Sequence, residues 1–391
     1  MKNAREFDIV VYGASGFTGR LVAEYLAGRK DGTIRWAMAG RDLAKLAAVR
    51  DEIGAPSDIP LIAADAAQPQ SLRDLARRTR VVLTTVGPYQ LYGSDLVAAC
   101  AAEGTDYCDL CGEPAWMRAM IDAHDAQAKK TGARIVFSCG FDSIPFDLGV
   151  LFLQTEAKKR LGAPFARVKG RVRKMRGTFS GGTAASLKAT LAAAAKDPNI
   201  VALLKDPFAL TPGFQGPRQP SGMKPEYDED FGSWMAPFVM AAINTRNVHR
   251  TNALTGFSFG QDFVYDEMVM TGPGEKGEQI ARGMAAQGSG MEGDKGPKPG
   301  EGPSKEEREN GFYDLVFLGV GPDGRKLAAS VKGDKDPGYG STSKMIAETA
   351  LALAADDRIP GGVWTPGAAL GLALAERLQK NAGIAFAVED A

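Results

Sequence analysis

The sequence is poor in the residues that build metal and redox sites. Its 391 residues include only 2 histidines and 4 cysteines. Cys108 and Cys111 form a C-x-x-C pair, but they end an apparent strand, where residues three apart point to opposite faces. Because no second pair of this kind occurs, we predict no bound metal and four reduced thiols, as is usual in cytosol.

A dominant charge and long apolar runs are also missing. Lysine plus arginine number 47, and aspartate plus glutamate also number 47, so no global field attracts nucleic acid or an anionic membrane. No stretch reaches the roughly 18 apolar residues of a membrane span, and no apolar run resembling a signal peptide precedes the first strand. These absences favour a soluble cytoplasmic protein without nucleic-acid partners and leave peripheral membrane contact open.

The first third of the chain alternates strand-like and helical segments. The strands are predicted at Phe7–Tyr12, Ile34–Ala39, Pro60–Ala64, Val81–Val86, Asp106–Leu110 and Arg134–Ser138. Such alternation indicates the α/β fold class, with a Rossmann-type, doubly wound parallel sheet. Since a single core rarely grows beyond about 250–300 residues, a second domain is expected.

The domain boundaries follow from changes in pattern. Residues 1–145 are predicted to form the Rossmann domain, residues 146–340 an α+β substrate domain, and residues 341–391 C-terminal helices that could return to the first domain. Residues 288–302 are mostly Gly, Lys, Glu and Pro, a composition that predicts a mobile loop. Asp323-Gly324 precedes an apparent strand and predicts a hairpin at a sheet edge.

A glycine-rich turn joins the first strand to the first helix. Gly13, Gly16 and Gly19 follow the spacing G-x-x-G-x-x-G rather than G-x-G-x-x-G. In a dinucleotide site, the first glycine permits the turn, the second admits the pyrophosphate and the third lets the helix pack closely. The alternative is a plain glycine-rich turn. The binding residues predicted in this turn are Gly13, Ser15, Gly16, Phe17, Thr18 and Gly19.

The end of the second strand predicts which cofactor is bound. NAD-binding enzymes usually carry Asp or Glu there to accept from the ribose 2′-hydroxyl, whereas this chain carries Arg41. A guanidinium matches a 2′-phosphate in charge and geometry. We therefore predict NADPH, with Lys45 assisting one helical turn further on. The alternative for Arg41 is a solvated surface arginine.

Further cofactor contacts are predicted at the carboxyl ends of the third and fourth strands, where ligands bind in open α/β sheets. Asp65 is expected either to reach the adenine or to act as a turn or helix-cap residue. The segment Val86, Gly87 and Pro88 is expected to border the nicotinamide ribose. No G-x-x-x-x-G-K-[ST] occurs, which excludes a P-loop, and no tyrosine precedes a lysine by four residues, which excludes the Tyr-x-x-x-Lys pair of short-chain dehydrogenases.

Several motifs together resemble the saccharopine dehydrogenase-like oxidoreductases, and most closely their trans-acting enoyl reductase branch. The motifs are Gly13-Ala-Ser-Gly-Phe-Thr-Gly19, Ala39-Gly-Arg41, Val86-Gly-Pro-Tyr89, Cys139-Gly-Phe-Asp-Ser-Ile-Pro145, Gly300-Glu-Gly-Pro-Ser304, Asp336-Pro-Gly-Tyr-Gly340 and Gly361-Gly-Val-Trp-Thr-Pro366. They span nearly the whole chain, with Val363-Trp364 departing from two expected aliphatic residues. The resemblance implies NADPH-dependent reduction of a carbon–carbon double bond in a lipid-, polyketide- or isoprenoid-type substrate, either small or carrier-bound.

Such a reduction requires a proton donor and a group that stabilises an enolate. The predicted catalytic residues are Tyr89, Asp142 and Ser143, which lie in loops after strands, as do the further candidates Tyr92 and Cys139. Tyr89 could instead be a packed aromatic, and Asp142 could cap the following helix. A lone histidine such as His249 is more often structural than catalytic.

Two segments of the second domain have both a structural and a functional interpretation. Trp234–Ala242 is either core or the wall of an acyl pocket. The cations Arg167, Lys169, Arg171 and Arg173 share one face of a predicted strand and either protect a sheet edge or dock the phosphates of coenzyme A or an acyl carrier. A saccharopine-type amino-acid dehydrogenase, a non-catalytic NADPH-binding lipid-associated protein, membrane contact and a homodimer also stay open.

Overall fold

The computed structural model describes residues 5–29, 34–177, 181–287 and 302–389. The predicted mobile loop lies outside these residues except for Gly302. The strands are β1 (Phe7–Tyr12), β2 (Trp36–Gly40), β3 (Leu61–Ala63), β4 (Thr79–Thr84), β5 (Asp106–Cys108), β6 (Arg134–Val136), β7 (Arg167–Arg176), β8 (Glu226–Asp228), β9 (Ser233–Pro237), β10 (Val264–Gly272), β11 (Phe312–Val320), β12 (Lys326–Gly333), β13 (Gly362–Trp364) and β14 (Ile384–Glu389).

Helices connect these strands. They are α1 (Phe17–Ala27), α2 (Leu43–Glu52), α3 (Pro69–Arg78), α4 (Tyr89–Tyr92), α5 (Ser94–Glu103), α6 (Pro114–Thr131), α7 (Ile144–Leu161), α8 (Gly181–Ala194), α9 (Pro198–Lys205), α10 (Ala241–Leu254), α11 (Gly274–Gln287), α12 (Lys305–Glu309), α13 (Thr342–Ala355) and α14 (Pro366–Asn381). A π-helical turn, Pro337–Ser341, precedes α13. No helix among the described residues is long and apolar enough to cross a bilayer.

The first sheet has seven parallel strands in the order β13-β6-β5-β4-β1-β2-β3. Every residue of β1 is buried, as expected for a central strand covered on both faces. The strand order reverses between β1 and β4, and ligands bind at such a reversal, outside the carboxyl ends of the strands. The predicted α/β class with a doubly wound sheet is confirmed.

The second sheet is mixed, with the order β14-β12-β11-β7-β10-β9-β8. β7 runs parallel to β10 and antiparallel to β11, and β11 and β12 form the hairpin predicted at Asp323-Gly324. The predicted hairpin edge is wrong, because β14 pairs with β12 and covers it. This sheet and its helices confirm a second, α+β domain.

The charged strand β7 lies in the middle of its sheet, so its cations do not protect an edge. All four cations form ion pairs with carboxylates on the same sheet or the adjoining segment. For example, Arg171 is buried and lies 2.9 Å from Asp266 and 3.0 Å from Asp228. Paired cations of this kind offer little charge to an external phosphate.

The C-terminal segment joins both sheets. Residues 341–391 were predicted as helices, and α13 does pack against α1, β4 and β5. The structure adds β13 to the first sheet and β14 to the second. β13 is only three residues long, and the exposed positions of β14 include Ala385 and Ala387, so neither strand has the apolar–polar contrast that marks a strand in a sequence.

Candidate active site at the carboxyl edge of the first sheet

The glycine turn after β1 has no room for side chains at two of its positions. Gly13 has φ +89°, and a Cβ there would lie 2.7 Å from Cγ2 of Val86. A Cβ on Gly19 would lie 2.1 Å from the carbonyl oxygen of Gly13. The turn is closed by the Gly16 N–H, which donates to that same carbonyl at 2.9 Å. Glycine is therefore required here by steric contact with the turn and with the segment after β4.

The N-terminus of α1 is open. Gly16 occupies the cap position without a side-chain hydrogen bond, and the first turn of the helix contains no acidic residue. The first N–H groups of a helix have no partner inside the helix and favour an anion such as a phosphate. Ser15 is exposed, and Phe17 and Thr18 are half-buried. This glycine cradle with open amides fits the pyrophosphate of a dinucleotide.

The ends of β2 and β3 place polar groups at the carboxyl edge of the first sheet. Arg41 and Lys45 are both exposed, while Asp42 caps α2 by accepting from the Lys45 N–H at 3.0 Å. Asp65 accepts from the Ala67 N–H at 3.0 Å, which makes it a turn residue. Between these charges lies the buried Tyr12, whose pKa is raised to about 12, first by burial and then by Asp65.

The segment after β4 lies against the glycine turn. Val86 contacts the Gly13 position through its side chain, and its N–H donates to Oγ1 of Thr84 at 3.2 Å. Pro88 then takes the cap position of the short helix α4. The structure thus brings together two residue sets that the sequence predicted separately, Gly13–Gly19 and Val86–Pro88.

Tyr89 is a buried aromatic that links two strand ends. Its hydroxyl donates to the carbonyl of Thr84 at 3.3 Å and accepts from the Leu110 N–H at 3.0 Å. Its ring lies 5.7 Å from that of Trp116. Burial, and then the charge of Asp109, raise the pKa of Tyr89 well above its usual value. In this arrangement the hydroxyl is engaged by backbone groups, as in the packed-aromatic alternative, whereas Tyr92 is exposed.

Asp109, which the sequence patterns did not single out, shapes the loops after β5 and β6. Its Oδ1 accepts from the N–H groups of Cys111 (3.0 Å) and Ser138 (2.8 Å), and its Oδ2 accepts from the Tyr107 hydroxyl at 2.9 Å. Ser138 is held at φ +61°, a left-handed conformation that costs energy for a residue with a Cβ. Burial raises the pKa of Asp109 to about 7.

Glu113 connects the cofactor edge to the second domain. Its carboxylate accepts from the N–H groups of Tyr89 (2.9 Å) and Gln90 (2.8 Å) at the start of α4. It also accepts from the Ser186 hydroxyl of α8 at 2.7 Å, and Gln90 Nε2 donates to Thr190 Oγ1 of α8 at 3.1 Å. The buried carboxylate therefore fixes α4 and α8 relative to each other.

Asp142 and Ser143 end the loop after β6. Asp142 is half-buried, and its carboxyl has no hydrogen-bond partner among the described residues, so it does not cap α7. Burial raises its pKa to about 7. Ser143 is fully buried; its hydroxyl donates to the carbonyl of Asp142 and accepts from Nδ2 of Asn247 at 2.6 Å. The loop thus carries a carboxyl whose pKa lies well above the ordinary value for aspartate.

The same loop contacts the second domain through an apolar cluster. The Phe141 N–H donates to Oγ1 of Thr342 at 3.0 Å, and its ring lies 4.8 Å from Tyr313.

The Asp336–Gly340 turn contacts the glycine turn. Asp336 accepts from the N–H groups of Tyr339 and Gly340, and Tyr339 packs edge-on against Phe17 at 4.7 Å. The Asp336–Gly340 motif therefore touches the glycine turn and leads directly into the residue that holds Phe141.

The remaining candidates are structural in their placement. Burial raises the pKa of the Cys139 thiol, which lies beside Cys108, and all four cysteines are buried and unpaired. His249 is buried 4.7 Å from the ring of Phe208, and burial lowers its pKa to about 3. In the segment Trp234–Ala242, which was predicted to be core or the wall of a pocket, the buried residues are Met235, Ala236, Phe238 and Met240.

Comparison with known proteins decides the family. Residues 9–136 match the family model described as the saccharopine dehydrogenase NADP binding domain. The chain is 42% identical to Rv2449c of Mycobacterium tuberculosis, whose name assigns it provisionally to the trans-acting enoyl reductases, over 96% of each chain. It is 40% identical to the trans-acting enoyl reductase of Mycobacterium ulcerans, again over 96% of each chain. The chain belongs to the trans-acting enoyl reductase family.

Solved structures extend the likeness at the level of the fold. The apo saccharopine dehydrogenase (L-Glu forming) of Saccharomyces cerevisiae is similar with a TM-score of 0.56 and 12% identity, covering 98% of this chain and 100% of that one. The homospermidine synthase of Legionella pneumophila, in complex with NAD, is similar with a TM-score of 0.55 and 10% identity, covering 99% and 92%. The resemblance predicted from the motifs is confirmed, and this trans-acting enoyl reductase family member is an oxidoreductase with a nicotinamide cofactor site.

Proposed function

We propose that this chain is an NADPH-dependent enoyl reductase, which reduces a carbon–carbon double bond next to a thioester or similar carbonyl. The observation that carries the reaction type is the 40–42% identity, over 96% of the chain, to proteins named as trans-acting enoyl reductases. The geometry adds a dinucleotide cradle and a proton-bearing carboxyl at the same edge of one sheet. These two parts are what a hydride transfer followed by protonation requires.

The preference for NADPH rests on the end of β2. Arg41 is exposed there, and the neighbouring Asp42 is engaged in capping α2. A carboxylate at this point would accept from a ribose hydroxyl, whereas a guanidinium pairs with a 2′-phosphate. Lys45 lies on the first turn of α2 and adds a second cation. The description of the matching family model as an NADP binding domain supports the same choice.

The chain's own residues account for the proton. When bound, the nicotinamide supplies a hydride to the β-carbon of the substrate, and the α-carbon then takes a proton. Asp142 is the proposed donor, because its carboxyl is half-buried, has no hydrogen-bond partner among the described residues, and has a pKa that burial raises to about 7. Burial raises this pKa because removal from water disfavours the charged form of the carboxyl.

An acyl substrate is favoured over an amino acid. A saccharopine-type substrate carries several carboxylates and needs fixed cations to bind them. The cations of β7 are already paired with carboxylates, and the buried Arg246 and Arg250 donate to backbone carbonyls. We therefore propose a lipid-, polyketide- or isoprenoid-type acyl chain as the substrate class, presented on coenzyme A or on a carrier protein.

The proposed reaction is tested by following NADPH absorbance with two substrate panels. One contains 2-enoyl thioesters of increasing chain length, on coenzyme A and on an acyl carrier protein. The other contains glutamate together with an aminoadipate-type semialdehyde. NADPH consumption with the first panel only, lost in Asp142→Asn with cofactor affinity retained, is the expected result. Consumption with the second panel only would replace the proposal by saccharopine-type chemistry.

A further inference from the structure

The helix α10 is unusual because it is buried on nearly all sides and yet mostly polar. Its buried residues are Ile243, Asn244, Arg246, Asn247, Val248, His249, Arg250, Thr251 and Asn252. A helix that is buried all round is normally apolar, since each buried polar group must find a hydrogen-bond partner. The partners of α10 therefore show what this helix holds in place.

One row of α10 faces the start of α7. Asn247 Nδ2 donates to Oγ of Ser143 at 2.6 Å. One turn further along both helices, Thr251 stands beside Asp147 and lies 2.5 Å from Oγ1 of Thr365. Asp147 in turn accepts from the Gly367 N–H at 2.7 Å. Because residues four apart lie on the same face of a helix, the contacts Asn247–Ser143 and Thr251–Asp147 are consecutive along the interface between α10 and α7.

The single hydroxyl proton of Ser143 determines which group donates in the hydrogen bond between Asn247 and Ser143. A serine hydroxyl has one proton to donate and accepts through its lone pairs. That proton goes to the carbonyl oxygen of Asp142, so the amide of Asn247 must be the donor to Ser143. The amide thereby determines where the Ser143 proton points, and the proton fixes the carbonyl of Asp142.

We propose that Asn247 is a positioning residue, which acts through Ser143 and the Asp142 carbonyl to hold the loop that carries the Asp142 carboxyl. The inference rests on the proposed function, in which Asp142 donates the proton. Burial raises the pKa of Asp142 to about 7, so a change in how the loop is packed should change its titration. The titration of Asp142 therefore reports directly on how the loop is held.

The test compares Asn247→Leu with Asn252→Leu. Both replace a buried asparagine of α10 by a neutral residue of similar size, but Asn252 bonds to Gly260 and Phe259 instead of Ser143. Ser143→Ala breaks the same link from the other side, and so serves if Asn247→Leu does not fold. The Asp142 carboxyl is titrated by ¹³C NMR in the full chain, with Asp142→Asn to assign the signal, and the pH profile of kcat is measured with an enoyl thioester.

We expect the Asp142 midpoint to fall by about one pH unit or more in Asn247→Leu and in Ser143→Ala, because the released carboxyl reaches water. In Asn247→Leu and in Ser143→Ala, kcat should also fall by about tenfold or more with the NADPH Kd unchanged. The variant that combines these two substitutions should show no further change. The control Asn252→Leu should leave the Asp142 midpoint in place. An unchanged midpoint in a folded Asn247→Leu, or an equal fall in Asn252→Leu, would overturn the inference. If the unsubstituted chain reduces no enoyl thioester, the proposed function fails, while the titration still decides the placement of Asp142.

Discussion

The glycine turn of the first sheet and the polar face of α10 are stabilised by different physical means. In the glycine turn, the backbone sets the geometry, and side chains are excluded at Gly13 and Gly19 because a Cβ there would meet other atoms within 3 Å. In α10, the side chains make the contacts, reaching Ser143 and Glu267 with buried amides. We therefore expect the glycine turn to be disrupted by an added side-chain atom, and the α10 interface to be destabilised when a buried polar group loses its hydrogen-bond partner.

The two regions also differ in how far apart their parts lie in the chain. The glycine turn occupies seven consecutive residues, Gly13–Gly19, although Val86 and Tyr339 contact it from distant parts of the chain. The hydrogen bond from Asn247 to Ser143 joins residues 104 positions apart in the chain. A turn can therefore be specified by its local sequence, whereas the packing of the Asp142–Ser143 loop depends on contacts that only the folded chain brings together.

The largest effect is expected from adding one carbon atom to the glycine turn. Gly19→Ala places a Cβ against the backbone of Gly13, and overpacking of this kind costs about 1–3 kcal/mol. We expect the Kd for NADPH to rise by about a hundredfold or more, as the amides of α1 are displaced from the phosphates. Isothermal titration calorimetry measures the change.

Gly28→Ala is the matched control at the other end of α1. A Cβ there would lie 3.4 Å from the carbonyl oxygen of Glu24, an ordinary van der Waals contact, and the residue has φ −73°. Its NADPH affinity should equal that of the unsubstituted chain. Equal weakening by both substitutions would show that α1 tolerates no added carbon anywhere, and would remove the special status of the turn.

The polar interface of α10 is tested by the pH dependence of stability. Burial raises the pKa of Asp147 to about 7, above the ordinary value of about 4 that applies when the chain is unfolded. The folded state therefore binds the proton more tightly, and this group's contribution is fully present below about pH 4 and lost as the pH rises to about 7. The loss amounts to about 4 kcal/mol at most.

Asp147→Asn cannot ionise, so its free energy of unfolding should decline less than that of the unsubstituted chain between pH 4 and 7. Urea unfolding at several pH values measures both curves. Asp323→Asn, on an exposed turn, is the control and should retain the steeper decline. Parallel curves for Asp147→Asn and the unsubstituted chain would contradict the buried, proton-bearing state of Asp147.

A smaller effect is expected at Arg41, where the cofactor edge meets solvent. Removing a charged hydrogen bond costs about 1.5–3 kcal/mol, so Arg41→Ala should weaken NADPH binding by about 10- to 100-fold and leave NADH binding nearly unchanged. Fluorescence titration with both cofactors gives the two dissociation constants. A parallel loss for NADH would mean that Arg41 does not contact the 2′-phosphate.

The smallest effect is expected at Lys45, which lies one turn beyond Arg41. An exposed ion pair contributes about 0–1 kcal/mol, so Lys45→Ala should raise the NADPH Kd by no more than about fivefold. The same titration, repeated at high salt, should nearly abolish the difference. A larger loss than that of Arg41→Ala would reverse the order of importance of the two cations.

The sequence was informative where function depends on local backbone geometry. β1 and the glycine turn follow from the pattern of apolar residues and glycines, and the parallel sheet follows from the alternation of strand-like and helical segments. Asp109, Glu113 and Asn247 were not singled out, because their partners lie in other segments and no local spacing marks them. One signal does point to Asp109: it directly follows β5, and polar residues at the carboxyl ends of parallel strands lie where ligands bind.

Long-range pairing also explains the errors in the second domain. The cations of β7 suggest an exposed edge until Asp228 and Asp266 are seen to pair with them. β12 resembles an edge strand until β14, more than 50 residues later in the chain, covers it. In each case the partner, and not the segment itself, determines exposure.

The most direct test of the proposed function follows the hydride itself. The chain is incubated with a 2-enoyl thioester and NADPH carrying deuterium at both C4 positions, and the product is analysed by mass spectrometry and NMR. The account predicts one deuterium at the β-carbon and a solvent-derived proton at the α-carbon. A product without deuterium, or deuterium transferred only when glutamate and a semialdehyde are supplied, would contradict it.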